Sequence, residues 1–322
     1  MARTHPERVD FDDERDDLYE SPRRPRLVIS MLPSAATLGN LLCGFFAIYF
    51  CLREILPANA VLPDRNPEAR LIDFLPTYIA IGAYLLLIAM IFDALDGQLA
   101  RFARRTSEFG AQLDSIADVV SFGTAPAVLC LTMITFALPQ TAEAFGPAAQ
   151  WQWRITLLGA LVYISCAAIR LARYNAENVK DDSDKRVFAG LPVPAAAAAI
   201  ISLVILHEHV IRMESVGEIS TAYWAGVIRW LVGPTVFVLG ILMVSRLDYI
   251  HVFNAYVQSK HPPTHLVWLL VAAVCSWFFW EVFFVVLAGA YVLSGPLLIV
   301  LRNRRGSLEP ELLQAEAPVD AN

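Results

Sequence analysis

Asp93, Asp96, Asp114 and Asp118 are four carboxylates set in mostly apolar sequence: Asp93-Ala94-Leu95-Asp96-Gly97-Gln98-Leu99-Ala100-Arg101, then Gly110-Ala111-Gln112-Leu113-Asp114-Ser115-Ile116-Ala117-Asp118. An Asp at the centre of a membrane helix costs about 2.5–3.5 kcal/mol on insertion scales, so four of them beside hydrophobic segments call for a compensating partner such as a divalent cation. An all-oxygen donor set suits a hard ion, Mg²⁺ or Mn²⁺.

The spacing fits that chemistry. Asp93, Asp96, Gly97 and Ala100 stand at i, i+3, i+4 and i+7, which puts two carboxylates and two small residues on one helical face. Asp114 and Asp118, at i and i+4, share a face of the next helix. With Gly110 helping to turn the chain between the two helices, the acidic faces would oppose each other as a cage, and Gly97 and Ala100 would leave room for a ligand beside it. A solvated acidic loop between two membrane helices is the plainer reading.

The pattern Asp-x₂-Asp-Gly-x₂-Ala-Arg-x₈-Gly-x₃-Asp-x₃-Asp resembles the signature of the CDP-alcohol phosphatidyltransferases, with all eight fixed positions present. That resemblance implies an all-α polytopic membrane bundle that moves a phosphatidyl group from CDP-diacylglycerol to an alcohol and releases CMP. It implies Asp93, Asp96 and Asp114 as ligands of Mg²⁺ or Mn²⁺. It gives Asp118 the role of general base, although the same carboxylate could also touch a second metal. Gly97, Ala100, Arg101 and Gly110 would meet CDP-diacylglycerol, with Arg101 on phosphate because its planar fork forms paired bonds to phosphate oxygens. A homodimer is implied as well.

Flanking stretches resemble the branch of that family that uses serine. They are Asp114-Ser115-Ile116-Ala117-Asp118-Val119-Val120-Ser121-Phe122-Gly123-Thr124-Ala125-Pro126, then Arg170-Leu171-Ala172-Arg173-Tyr174-Asn175 with Phe188 to Ala197, and Thr37-Leu38-Gly39-Asn40-Leu41-Leu42-Cys43-Gly44 in the first span. Ser34 after Pro33 departs from the asparagine usual there, so no nucleotide contact is carried over to it. Arg170 or Arg173, with Asn175, would hold the carboxylate of L-serine. The plain readings are that the two arginines are anchors on the positive side of the membrane, that Gly190-Leu191-Pro192-Val193-Pro194 starts a helix, and that Ser121-Phe122-Gly123 serves close helix packing.

The elements that must position these residues are membrane spans. Hydrophobic residues make up 57% of the 322 and mean hydropathy is +0.51, which excludes an ordinary soluble domain. The apolar mass falls into eight expected spans at about 34–53, 77–100, 113–138, 155–172, 193–207, 222–245, 265–281 and 283–301, most close to the ~20 residues that cross a bilayer. Pro33 and Pro76 stand before the first two, and Glu281 alone interrupts the last apolar run. The chain divides into a polar, disordered tail over 1–30, a catalytic membrane domain over 31–303 and a second tail over 304–322.

Most of the Lys and Arg between Arg23 and Arg305 fall on one side of these spans, against Arg53, Arg65, Arg70, Arg154 and Arg212 on the other. The positive-inside rule then puts the aspartates and both termini in the cytoplasm, with the protein multi-pass in the cell (inner) membrane. The net charge of −6 sits largely in the acidic tails, and neither tail is a nucleic-acid arm. Cys43, Cys51, Cys130, Cys166 and Cys275 read as buried thiols, and the histidines, His207 and His209 included, receive no chemistry. Two alternatives stand beside the main reading: the same transfer to glycerol phosphate, inositol phosphate or choline, and a divalent-metal transporter. Against the transporter, the acids cluster at one face.

Topology is open to direct measurement. A Thr106→Cys substitution in a variant lacking native cysteines should react with an impermeant thiol reagent only when the cytoplasmic face is exposed; labelling in intact cells would invert the assignment.

Overall fold

The computed structural model describes residues 27–55, 77–103, 108–137, 146–178, 190–215, 222–247, 249 and 279–315. They form helices α1 (Leu27–Ile55), α2 (Tyr78–Ala103), α3 (Glu108–Asp118), a π-helical turn (Val119–Thr124), α4 (Ala125–Ala137), α5 (Pro147–Asn178), α6 (Val193–Ser215), α7 (Ala222–Val244) and α8 (Trp280–Ala315). α3, the π turn and α4 run on without a break. Among the described residues there is no strand, and seven helical stretches are long and apolar enough to cross a membrane. Helices suit that setting because they satisfy their own backbone hydrogen bonds in lipid.

α1 packs along α2, α5 along α7, and α6 touches α2, α4, α7 and α8. The α3–π–α4 stretch is the axis of the bundle: 61% of its most apolar window is buried, against 6% for α8, which lies on the outside. Phe122, Leu129, Cys130, Met133 and Ile134 fill the core around that axis, joined by Tyr163 of α5 and Ile200 and Ile201 of α6. Leu38, Leu42, Phe45 and Phe46 of α1 face outward, as a lipid-facing surface requires.

Six of the eight expected spans correspond to α1, α2, α3–α4, α5, α6 and α7, and the eighth to α8. The seventh, 265–281, lies outside the described residues except for its last three. α6 runs well past 207, through His207, Glu208 and His209. The hydropathy pattern stopped there because these side chains are polar; the helix continues because they pair with one another and with neighbouring helices. α5 begins at Pro147, ahead of 155, with Trp151 and Trp153 exposed at its start. α1 begins at Leu27, so Pro33 is inside it.

Gly110 does not turn the chain. It is helical, in the first turn of α3, and the residues between α2 and α3, 104–107, lie outside the described residues. Cys43, Cys51, Cys130 and Cys166 are free thiols, and Cys275 is outside the described residues.

Gly190 is the one described glycine with positive φ, +93°, and its N–H donates to Leu247 O at 2.9 Å while Leu191 N donates to Leu242 O at 3.0 Å. The turn before α6 is thus stitched to the C-terminal end of α7, and a Cβ on Gly190 would run into the Met243 and Ser245 carbonyls. Gly190→Ala should therefore cost at least about 1 kcal/mol and lower the unfolding midpoint in detergent, from backbone strain and the clash together. Gly289→Ala, where a Cβ meets nothing within 4 Å, should not lower it. Equal midpoints would remove the docking role of Gly190.

Candidate metal centre

The last turns of α2 and the whole of α3 bring the aspartates together. Asp93, Asp114 and Asp118 each present a carboxylate oxygen within 4.8 Å of the others. Asp96 stands outside that tight group but beside Asp114, 6% exposed and within hydrogen-bonding reach of Thr37 on α1. Asp118 is 7% exposed and accepts a hydrogen bond from Asn40 Nδ2 at 3.2 Å.

Two unit charges at 4.8 Å repel by roughly 3 kcal/mol at an effective dielectric constant of 20, and three carboxylates make three such pairs. Asp96 Oδ2 and Asp114 Oδ1 are in addition buried with no hydrogen-bond partner. Crowded carboxylates, oxygen donors only and uncommitted buried lone pairs together fit a hard divalent cation. Asp93, Asp114 and Asp118 could hold it directly, with Asp96 adjoining.

α1 is shaped to reach this place. Gly44 lies so close to the π turn that a Cβ there would come within 2.7 Å of Ser121 Cα, and the Ser121 hydroxyl donates to Asn40 O at 2.9 Å. That contact sets Asn40 against Asp118. The π turn itself is pinned by Thr124 Oγ1 donating to Val119 O at 3.0 Å, and by Tyr163 Oη donating to Phe122 O at 2.8 Å. Such turns appear as single insertions within α-helices, often at functional sites.

The remaining expected site residues divide. Gly97 is exposed, with no atom within 4 Å of where its Cβ would be, so there is open space beside α2. Ala100 and Arg101 fall on the last turn of α2, but their side chains are outside the described residues. Arg170 on α5 is part-buried, with its Nε unpartnered and with Asp118, Tyr174 and Tyr291 as electrostatic neighbours. Asn175 Nδ2 donates to Ser115 Oγ at 2.8 Å, next to Asp114. Arg173 is exposed. Of the three residues expected to meet serine, the fold brings Arg170 and Asn175 to the aspartates and leaves Arg173 on the outer surface of α5.

Thr37 and Asn40 fall in the Thr37–Gly44 stretch that resembles the serine-using branch, but no role was read for either; the physical signal was a Thr and an Asn inside an apolar span, where an unpaired polar group is costly.

The model of the CDP-alcohol phosphatidyltransferase family matches residues 30–242, about two-thirds of the chain. A CDP-diacylglycerol–serine O-phosphatidyltransferase of Mycobacterium bovis is 30% identical over 263 residues, covering 79% of this chain and 72% of the relative. Proteins of the same name from Methanocaldococcus jannaschii and Saccharomyces cerevisiae are 29% identical over 191 residues and 32% identical over 172. They cover 59% and 52% of this chain, and 70% and 51% of the relatives.

The geometry predicts metal binding that can be read without catalysis. Mn²⁺ should raise the unfolding midpoint of the purified protein by relieving carboxylate repulsion, and Asp114→Asn should weaken Mn²⁺ binding at least about tenfold. A wild-type midpoint indifferent to Mn²⁺ and Mg²⁺ would exclude the site.

Proposed function

The chain belongs to the CDP-alcohol phosphatidyltransferase family, and from that premise we propose that it transfers the phosphatidyl group of CDP-diacylglycerol to the hydroxyl of L-serine, releasing CMP. The observation that carries the reading is the convergence of Asp93, Asp114 and Asp118 within 4.8 Å at the meeting of α2 and α3. The choice of serine is supported by the names of the relatives and by Arg170 and Asn175 near the aspartates.

Mg²⁺ or Mn²⁺, held by Asp93 and Asp114 with Asp96 adjoining and the Asp118 carboxylate also within reach, would supply Lewis-acid stabilisation of the pyrophosphate charge. The chain's own residues do the rest. The open space beside Gly97 accepts the nucleotide close to the α2 backbone, and Arg101 meets phosphate. Arg170 takes the serine carboxylate in a charge-assisted bond, with Asn175 alongside. Asp118, oriented through Oδ1 by Asn40, takes the hydroxyl proton as the serine oxygen bonds to the lipid-side phosphorus. The bond from that phosphorus to the bridging oxygen breaks, and CMP leaves with the electron pair. The displacement is a single step, because among the described residues the site offers a base but no separately activated Ser, Cys or His nucleophile. The reaction runs at the cytoplasmic face of the cell membrane.

The test is CMP release from CDP-diacylglycerol by the purified protein with Mn²⁺ and a panel of L-serine, ethanolamine, choline, glycerol 3-phosphate and inositol phosphate. Serine should be the preferred acceptor, and excess EDTA should abolish turnover. Asp118→Asn should reduce turnover by at least ~10²-fold with CDP-diacylglycerol binding kept, the lower range for loss of a general base. Arg170→Ala should raise the KM for serine far more than that for CDP-diacylglycerol. Preference for glycerol 3-phosphate or inositol phosphate would overturn the acceptor and leave the family intact.

A further inference from the structure

α1 meets the aspartates with a neutral polar face. Thr37 and Asn40, at i and i+3 and so on one side of the helix, are 5% and 0% exposed. Thr37 is within hydrogen-bonding reach of Asp96, and Asn40 Nδ2 donates to Asp118 Oδ1 at 3.2 Å. The two side chains therefore span the acidic group from its α2 side to its α3 side.

The amide of Asn40 is only half used. An ionised carboxylate accepts hydrogen bonds and donates none, so the amide turns its NH₂ to Asp118 and keeps its carbonyl oxygen for something else. That oxygen, Oδ1, is buried, and among the described residues nothing donates to it. The Ser121 hydroxyl, which reaches the same residue, is spent on the Asn40 backbone carbonyl at 2.9 Å. Asn40 cannot swing clear either, because Gly44, one turn further along α1, is seated against Ser121 with no room for a Cβ. A buried amide oxygen held in place without a partner is costly, the more so in a membrane span.

Its company narrows what the partner is. Among the described residues, the buried side-chain oxygens with no hydrogen-bond partner are Asn40 Oδ1, Asp96 Oδ2 and Asp114 Oδ1, and all belong to this corner. They come from α1, α2 and α3. A hard cation gathers oxygens from several directions at once, and carboxamide oxygens are among its ordinary ligands. Charge favours an amide here over a further acid. Asp93, Asp114 and Asp118 already outweigh one divalent ion, and an anionic pyrophosphate must still approach. A neutral oxygen adds a ligand without adding repulsion.

We propose that Asn40 is itself a ligand of the divalent cation through Oδ1, while its Nδ2 holds Asp118. The inference rests on the cation reading of the aspartates and adds to it a neutral ligand from a third helix, outside the acidic signature.

Mn²⁺ uptake by the purified full chain, stripped of metal and followed by the electron paramagnetic resonance of free Mn²⁺, separates a ligand from a residue that only orients Asp118. Asn40→Ala should weaken uptake at least about tenfold. Added to Asp118→Ala, where no carboxylate is left to orient, it should still weaken uptake at least about fivefold. A thiol at the same position should change which ion is taken. Asn40→Cys, in a variant lacking native cysteines, should favour Cd²⁺ over Mn²⁺ at least about tenfold more than its parent does, and should show the ultraviolet absorption of a cadmium–thiolate bond. No further loss in the Asp118→Ala background, or no cadmium–thiolate band in Asn40→Cys, would overturn the proposal. Unchanged Mn²⁺ uptake in Asn40→Ala would do so and leave the aspartate site standing, whereas a wild type that takes up no Mn²⁺ would overturn both together. If Asn40→Ala fails to fold, or Asp118→Ala binds too little Mn²⁺ to compare, the Cd²⁺ titration of Asn40→Cys decides.

Discussion

Like charges held close together where α2 meets α3 are the constraint on which the rest of the bundle turns. Three carboxylates within 4.8 Å would spread apart if left to themselves, so the helices that carry them must be braced from outside. α1 supplies the brace. Its Asn40 and Thr37 reach Asp118 and Asp96, and Gly44 lets its backbone settle against Ser121. Tyr163 of α5 holds the other side of the same turn through Phe122 O. The polar contacts are few and buried, in a core otherwise made of apolar side chains, many of them alanine, leucine, isoleucine and valine.

Much of this was legible in the sequence, for reasons that differ by residue. Asp93 and Asp96, and Asp114 and Asp118, follow helical spacing in strongly apolar surroundings, so their faces, and their fitness as a group to hold a cation, could be read directly. The spans were visible wherever apolar residues ran unbroken. They were misjudged at His207, Glu208 and His209, where polarity ended the pattern although pairing let the helix go on. Gly110 was misread because glycine often marks a turn, whereas here it is helical. Asn40 was the harder case: its role depends on a partner 78 residues away, and no local pattern carries that information.

The two ends of the bundle treat buried charge differently. Near α3 the acids outnumber their donors and leave Asp96 Oδ2 and Asp114 Oδ1 uncommitted. At the far end, Glu208 is matched by Thr77 and a histidine. A transporter would be expected to carry acidic groups in a chain from one end to the other. Between Ala80 and Asp93, α2 buries Ala83, Leu86 and Ala89 instead, an apolar stretch between the two polar ends.

The π turn at Val119–Thr124 has a further meaning for how this helix could have been assembled. A π turn is an α-helix with one residue inserted, so the helix beyond it is rotated by about 100° relative to the helix before it. The acidic face of α3 and the core-filling face of α4 are therefore out of phase, and one helical wheel cannot describe both. That offset lets α4 turn its core-filling side chains into the bundle while α3 keeps its carboxylates aimed at α2. The phase of the helix, set by a single residue of length, is part of what specifies the site.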